Sequence, residues 1–294
     1  MAWAVWLGAT RPKTLAAGAV PVVVGVACAA TVGPVHWGLA VGCLVGALLI
    51  QVGCNFANDA FDGMKGADTA ARLGPRRAVA SGLISARAML LATAVVLALA
   101  LGVGLWLATA GGWPILVLGL VSLVCAVAYT AGPWPLAYIG LGELFVFLFF
   151  GWFAVLGTAW VQVAGSSAAL PRAWWFLASA VGFQAACLIL VNNLRDAATD
   201  APVGKRTLAV RLGPVGGRAF HGVLHLCAAS SLGLAATEAR SWPLAGAASL
   251  ALVLGGLLSL GVWRTTGAPL NAFLARTAGL EILTGVVIVL SLAI

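Results

Sequence analysis

Six long stretches of this 294-residue chain contain no Asp, Glu, Lys or Arg. They are residues 14–58, 88–142, 144–171, 173–194, 219–237 and 241–263. A membrane-spanning helix needs about 20 predominantly apolar residues, so each stretch can cross a bilayer and the longest can cross it twice. With 62% hydrophobic and 8% charged residues, the chain has too little polar surface for a water-soluble globule. We therefore expect lipid to be its solvent.

The apolar runs predict helices. Backbone amides inside a bilayer must pair internally, and these runs lack the alternation of a barrel strand. Gly- and Pro-containing turn signals divide the runs, and the 37 glycines favour close helix packing around a central cavity. The prediction is one all-α, polytopic membrane domain over residues 1–294 with about nine transmembrane helices. Their approximate bounds are 14–32, 37–58, 86–110, 113–131, 136–157, 173–193, 214–237, 242–263 and 275–294.

Basic residues predict the orientation in the membrane. If the N-terminus is inside, 14 of the 16 Lys and Arg residues fall on one face, and only Arg172 and Arg240 do not. The positive-inside rule then makes that face cytoplasmic in a multi-pass protein of the cell (inner) membrane. The formal charge of +8 belongs to this face and requires no nucleic-acid partner.

Two long polar connections, 59–85 and 194–213, carry a repeated motif. Asn58-x-x-x-Asp62 and Asn192-x-x-x-Asp196 lie 134 residues apart, and further acids and bases follow each. This spacing indicates a parallel duplication of a four-helix unit, with motifs at 58–77 and 192–211. We expect the two connections to form Asp-rich loops that cap the cavity on the cytoplasmic side.

The motifs suit magnesium and a diphosphate. Positions i and i+4 of a helix project to the same side, and oxygen ligands without His or Cys favour Mg2+ over zinc. The predicted metal ligands are Asn58, Asp59, Asp62, Asp68, Asn192, Asp196 and Asp200. The bases predicted to neutralise a diphosphate are Lys65, Arg72, Arg77, Lys205 and Arg206. Asp62, Asp196 and Lys65 are predicted catalytic residues.

Three other interpretations were weighed. Charges at a membrane surface often only pair with one another, but five of the eight acids of the chain lie in these two segments. A transporter built from helical repeats needs acids at the membrane midplane rather than at helix ends. A lipid-phosphate alcohol transferase also uses aspartates, but its D-G-x-x-A-R-type string is absent after Asp62.

The chain resembles the UbiA superfamily of intramembrane prenyltransferases, and most closely its menaquinone-pathway branch. The resemblance runs nearly end to end. It is carried by Arg11-Pro-Lys-Thr-Leu15, Asn58-Asp-Ala-Phe-Asp62, Lys65-Gly-Ala-Asp68, Arg72-Leu-Gly-Pro75, Tyr129-Thr130, Tyr138-Ile-Gly-Leu-Gly-Glu143, Phe149-Phe-Gly-Trp152, Asn192-Asn-Leu-Arg-Asp196, Asp200, Gly204-Lys-Arg-Thr-Leu208, Arg211-Leu-Gly213 and Arg276-Thr277. The chain departs from the family pattern at Arg76, where an apolar residue is expected. It also departs at Gly66, where an acid is expected and Asp68 must take its place.

The resemblance implies transfer of a polyprenyl group from a polyprenyl diphosphate to 1,4-dihydroxy-2-naphthoate, with release of diphosphate and carbon dioxide and with Mg2+ as cofactor. An alternative acceptor is 4-hydroxybenzoate. Tyr129 is expected to stabilise the allylic cation or to bind a phosphate oxygen. Arg11, Lys13 and Glu143 are candidate acceptor-binding residues, although Arg11 and Lys13 equally suit a helix-end anchor. No metal-binding role is expected for the three His and six Cys residues.

Overall fold

The computed structural model describes residues 2–67, 73–75, 77–164 and 169–293, without the side chains of Ala2, Lys13, Ala16 and Ala17. These ranges contain helices, turns and loops but no strand, so the all-α prediction is confirmed. The helices are α1 (Ala2–Ala9), α2 (Pro12–Ala30), α3 (Trp37–Met64), α4 (Ala86–Gly111), α5 (Trp113–Ala128), α6 (Gly142–Val163), α7 (Arg172–Asp200), α8 (Leu208–Ala239), α9 (Trp242–Trp263) and α10 (Leu270–Ala293). One turn of 3-10 helix, Ala201–Val203, follows α7.

Most of these helices suit a bilayer. Among the described residues, α3, α4 and α6 to α10 are seven helices long and apolar enough to cross a membrane by length and composition. Gly18–Ala30 of α2 and Trp113–Ala128 of α5 are shorter apolar helices. The protein is therefore a multi-pass membrane protein. Every predicted span has a helical counterpart, but the number of nine crossings stays a prediction because two of the helices are short.

Both motif helices are longer than the sequence indicates. The predictions end them at residues 58 and 193, whereas α3 continues to Met64 and α7 to Asp200. The reason is that Asp62 and Asp196 are buried, so these polar residues face the protein interior and do not start a solvated loop. The first residues of the two expected cap loops are thus the last turns of helices.

Two other helices differ most from their predicted bounds. The helix expected at 136–157 begins at Gly142 and ends at Val163, because residues 136–140 form turns that include Gly140 at a positive φ of 78°. The helix expected to start at residue 214 begins at Leu208. Its backbone breaks at Gly213, where φ is 68° and ψ is 177°, just before Pro214. Proline removes an amide donor and clashes with the preceding turn, which accounts for the kink.

Helix α6 contains a π-helical segment, Phe147–Leu156, that packs closely on α7. Gly151 lies against Gly182, and a methyl group added at Gly151 would lie 2.7 Å from the carbonyl oxygen of Ala178. Small residues allow such backbone contact in lipid, where helix association depends on close packing. The π-turn and the glycine pair therefore fix how α6 lies on α7.

The helices form a closed arrangement. Neighbours in sequence from α2 to α10 pack on one another, and α10 returns to pack against both α2 and α7. Helix α2 also packs against α6. Because the first and last long helices meet, the bundle can enclose a central space rather than a solid core.

Candidate active site

The central space is a cavity of about 520 Å³ that both motifs reach. Its lining comes from α1, α2, α3, α5, α6, α7 and α10, and it includes Asn58 of the first motif and Asn192 of the second. The repeated asparagines thus face one cavity, as their matched spacing predicts. The two motif helices bring together residues that are 134 positions apart.

The first motif divides its side chains between the cavity and the following loop. Asn58 Oδ1 accepts a hydrogen bond of 2.8 Å from the Thr130 hydroxyl. Asp59 accepts hydrogen bonds from the backbone N–H groups of Ala78 (3.1 Å) and Val79 (2.9 Å). Asp59 therefore ties the segment after α3 back onto the helix end, a positioning role that its motif position alone does not indicate. A role in metal binding stays a prediction for it.

Tyr138 organises the charged side chains that lie where α3 and α7 end, a region we call the charged end. Asn58 and Asn192 line the cavity at this end, whereas Asp62, Lys65 and Lys205 adjoin it without lining it. The Tyr138 hydroxyl donates a 2.9 Å hydrogen bond to Asp62 Oδ1. The ammonium groups of Lys65 and Lys205 lie 4.8 Å and 5.6 Å from its ring centroid, within cation–π range. Sequence reasoning assigned no role to Tyr138. A usable signal was composition, because the chain has only two tyrosines, Tyr129 and Tyr138, and both lie at this site.

Arg195 organises the second motif. Its guanidinium donates to Asp196 Oδ1 (2.8 Å), Asn192 Oδ1 (2.8 Å) and Asn271 Oδ1 of α10 (2.7 Å). The residue is only 2% exposed and lines the cavity. A planar, always charged guanidinium suits such a buried set of acceptors. Sequence analysis counted Arg195 only as a cytoplasmic charge.

Lys205 joins the two motifs. Its Nζ lies 4.0 Å from Asp62 Oδ2 and 3.7 Å from Asp200 Oδ1. The expected approach of the two Asp clusters therefore occurs around this lysine. Lys65 is held at the same end, because its Nζ donates a 2.7 Å hydrogen bond to the carbonyl oxygen of Thr130.

The remaining predicted diphosphate and catalytic residues differ in position. Arg77 and Tyr129 line the cavity. Arg206 is exposed and lies outside the cavity lining, although its backbone N–H donates to the Tyr138 carbonyl (3.0 Å). Asp68, Arg72 and Arg76 lie outside the described residues.

The candidate acceptor-binding residues also differ in position relative to the cavity. Arg11 lines the cavity and has a left-handed backbone (φ 55°) at the start of α2, a conformation that costs energy for a non-glycine residue and often marks functional sites. Glu143 is buried and accepts a 2.9 Å hydrogen bond from Asn193, and it does not line the cavity. The side chain of Lys13 is among those that the structure does not describe.

A second, apolar pocket of about 180 Å³ continues from the cavity. The two share five lining residues, Ile50, Gln51, Ser122, Phe149 and Phe150. The pocket reaches Leu105 of α4 and Leu120 of α5, which are 50% and 46% exposed. An apolar path therefore runs from the cavity to the outer surface of the bundle beside α4 and α5.

Two buried polar features were not expected from sequence. Glu281 of α10 lines the cavity, is 1% exposed, and has no hydrogen-bond partner for either carboxylate oxygen among the described residues. Elsewhere, Cys187, His221 and His225 bring their ligand atoms within 4.8 Å of one another, although no grouping was predicted for them. This Cys–His group is buried between α7 and α8 and does not line the cavity.

Comparison with known sequences places the chain in a family. A model of the UbiA prenyltransferase family matches residues 19–280. The 1,4-dihydroxy-2-naphthoate octaprenyltransferase of Mycobacterium tuberculosis is 39% identical over 94% of this chain and 96% of its own length. The enzyme of the same name from Escherichia coli is 36% identical over 74% of this chain and 72% of its own length.

Solved structures share the fold. A UbiA homolog from Archaeoglobus fulgidus bound to DMAPP and Mg2+ has a TM-score of 0.70 and 17% identity, over 97% of this chain and 99% of that one. A UbiA homolog from Aeropyrum pernix has a TM-score of 0.68 and 18% identity, over 95% and 96% of the two chains. At such low identity the likeness establishes the helical architecture alone.

Proposed function

Because the chain belongs to the UbiA prenyltransferase family, we propose that it transfers a polyprenyl group from a polyprenyl diphosphate to 1,4-dihydroxy-2-naphthoate, with release of diphosphate and carbon dioxide. This is the reaction that forms demethylmenaquinone in menaquinone biosynthesis. The bacterial relatives named for this acceptor support the proposal, since the identity extends over most of the chain.

The observation that carries the proposal is the polarity of the cavity. Arg195, Asn58 and Asn192 line one end of the cavity. Lys65, Lys205, Asp62 and Asp200 adjoin this end. Apolar side chains form much of the remaining wall and the pocket that continues from it. A prenyl diphosphate has the same division, a highly charged head and a long hydrocarbon tail. The cavity therefore suits this substrate better than it suits a uniformly polar solute.

The donor set at the charged end fits a magnesium ion. Amide and carboxylate oxygens of Asn58, Asp62, Asn192, Asp196 and Asp200 come from two helix ends, and no His or Cys is among them. Hard oxygen ligands of this kind are those that Mg2+ takes, usually together with phosphate oxygens and water. When bound, Mg2+ would stabilise negative charge on the departing diphosphate.

The protein's own groups have the remaining tasks. The cations of Lys65, Lys205, Arg77 and Arg195 offset the charge of the diphosphate and favour its departure. The aromatic rings of Phe145 and Phe149, stacked with centroids 6.0 Å apart, lie in the cavity wall beside the reacting region. Their faces stabilise an allylic cation, and the apolar lining keeps out water that would otherwise capture it.

The bonds of the reaction balance without an added reagent. The bond between prenyl C1 and the diphosphate oxygen breaks, and its electron pair leaves with diphosphate. The ring carbon that bears the carboxylate forms the new bond to prenyl C1. The carboxylate then leaves as carbon dioxide, and the electron pair of its bond returns to the ring.

The membrane setting matches the substrates. The exposed Leu105 and Leu120 border the outer end of the apolar pocket, so the prenyl tail has a direct route from surrounding lipid. The charged end lies where α3 and α7 end. We place this end at the cytoplasmic face, on the basis of the positive-inside pattern of the sequence.

The test is an acceptor screen. Purified protein with Mg2+ and one labelled prenyl diphosphate should prenylate 1,4-dihydroxy-2-naphthoate with release of carbon dioxide, and 4-hydroxybenzoate far more slowly. Asp62→Asn and Asp196→Asn should each lower turnover by orders of magnitude in folded protein, and a chelator should do so reversibly. Transfer to 4-hydroxybenzoate alone would overturn the proposed acceptor. Near wild-type turnover in both variants would overturn the role of the motifs.

A further inference from the structure

Glu281 is the one acid of α10, and it faces the central cavity. Leu274 lies seven residues earlier on the same helix face and also lines the cavity. Among the described residues, nothing donates a hydrogen bond to either carboxylate oxygen of Glu281, and no Lys or Arg forms an ion pair with it. The side chain is 1% exposed, so bulk water does not satisfy it.

Such a carboxyl group is costly unless a ligand satisfies it. Burial of a polar group without a hydrogen-bond partner is unfavourable, and acids inside membrane helices are usually functional. Much of the cavity lining is apolar, including Phe145, Phe149 and Leu188. A hydrogen-bond donor on a molecule that enters the cavity can supply the missing partner.

The position of Glu281 decides which substrate that is. Asn271, at the start of α10, contacts Arg195 at the charged end, and Glu281 lies ten residues further along, about 15 Å on a helix. A diphosphate held at the charged end does not reach that far, and its negative charge would repel a carboxylate. The prenyl tail has no hydrogen-bond donor. A phenolic hydroxyl of the acceptor is the remaining partner.

We propose that the carboxylate of Glu281 binds a ring hydroxyl of the aromatic acceptor and thereby activates the ring for prenylation. This inference rests on the proposed function. As the ring carbon bonds to prenyl C1, positive charge spreads onto the conjugated hydroxyl oxygen, and the hydrogen-bonded carboxylate stabilises it. When the ring carboxyl leaves as carbon dioxide, its electron pair neutralises the ring and the hydroxyl keeps its proton. Glu281 is thus a catalytic residue that touches substrate.

The first test separates the two substrates kinetically. The full chain in lipid nanodiscs is assayed with each substrate varied while the other is saturating. Glu281→Ala should lower kcat/KM for the acceptor by about tenfold to a hundredfold, which corresponds to one charge-assisted hydrogen bond, and Glu281→Gln should lower it less. The KM of the prenyl diphosphate should stay unchanged, which also shows that the variants fold.

Glu238→Gln is the matched control. Glu238 lies on α8, where it pairs with Arg172 at 3.5 Å and is partly exposed, outside the cavity lining. Its substitution should leave kcat/KM for both substrates unchanged. An unchanged acceptor kcat/KM in Glu281→Ala would overturn the proposal.

Acceptor analogues supply a second test. Naphthoates that lack either the 1-hydroxyl or the 4-hydroxyl should react with the wild-type chain at clearly different rates, because only one hydroxyl meets Glu281. This difference should shrink by about tenfold or more in Glu281→Ala, and an unchanged ratio of the two rates would overturn the contact. If the wild-type chain prenylates only 4-hydroxybenzoate, the proposed acceptor is rejected, and the same variants on that phenol still test Glu281. A chain that prenylates no phenol overturns both.

Discussion

Asp62 and Asp196 hold equivalent positions in the two motifs, but they have different partners. Asp196 accepts from the guanidinium of Arg195, a full positive charge on the adjacent residue. Asp62 accepts from the neutral hydroxyl of Tyr138, and the ammonium of Lys205 is 4.0 Å away. A charged donor at 2.8 Å offsets more of a carboxylate's charge than a hydroxyl does. We therefore expect Asp62 to be the stronger ligand of the two for a divalent cation.

Tyr138→Phe should reveal the value of the hydroxyl contact. The substitution removes the donor to Asp62 and keeps the ring against Lys65 and Lys205. Groups that orient a metal ligand typically contribute 10- to 100-fold in affinity or activity, so kcat/KM should fall by about tenfold or more and the Mg2+ requirement should rise. Magnesium titrations of the rate measure both effects.

Tyr138→Leu is the comparison, since it removes the ring as well. It should also weaken binding of the prenyl diphosphate, because Lys65 and Lys205 lose the aromatic ring that they contact. Wild-type behaviour of Tyr138→Phe would mean that the hydroxyl does not position Asp62.

The sequence pattern locates the motif residues but not their partners. Asn58 and Asn192 could be found because they recur at matching distances from an aspartate. The contacts of Tyr138 and Asn271 could not, because only the folded chain brings these distant segments to Asp62 and Arg195. Glu281 stands alone in an apolar helix, and no local pattern shows that it faces a cavity.

At the scale of helices, the contact of α6 with α7 depends on one glycine pair. Gly151→Ala places a methyl group against the backbone of Ala178 and Gly182, which cannot move aside as a side chain can. Overpacking of this kind typically costs about 1–3 kcal/mol. We expect a lower thermal unfolding midpoint in detergent micelles for this variant.

Gly233→Ala is the control for the glycine pair. A methyl group at Gly233 of α8 would meet no atom within 4 Å, so the change should be neutral or stabilising, since alanine favours helix by about 1 kcal/mol over glycine. Equal midpoints for the two variants would contradict close packing of α6 on α7.

Helix existence was predictable, whereas several helix ends were not. Hydrophobic runs locate helices because lipid leaves the backbone few other choices. The ends of α3 and α7 lie beyond the predictions because their polar residues face inward. The π-segment of α6 has the same uniformly apolar composition as its surroundings, so nothing in Phe147–Leu156 distinguishes it from ordinary helix.

At the scale of the whole molecule, one cavity connects a polar region at the helix ends to an apolar region that borders lipid. Its charged end is built from the last turns of α3 and α7, and the apolar pocket opens beside α4 and α5 toward lipid. The packing of α10 on α2 closes the ring of helices around this space. The arrangement can bind a substrate that has a water-soluble head group and a lipid-soluble tail.

Orientation in the membrane is testable with single cysteines. In a background without the six native cysteines, Ala201→Cys follows α7 at the charged end and is exposed, and Gly33→Cys follows α2 at the other end of the bundle and is exposed. The 14-to-2 distribution of basic residues predicts that Ala201→Cys faces the cytoplasm. An impermeant maleimide should therefore label Ala201→Cys only in inside-out vesicles and Gly33→Cys only in right-side-out vesicles. The reverse pattern would place the charged end of the cavity on the outer face and contradict the predicted orientation. Labelling of both positions from one side would instead contradict the odd number of crossings that the sequence predicts between residues 33 and 201.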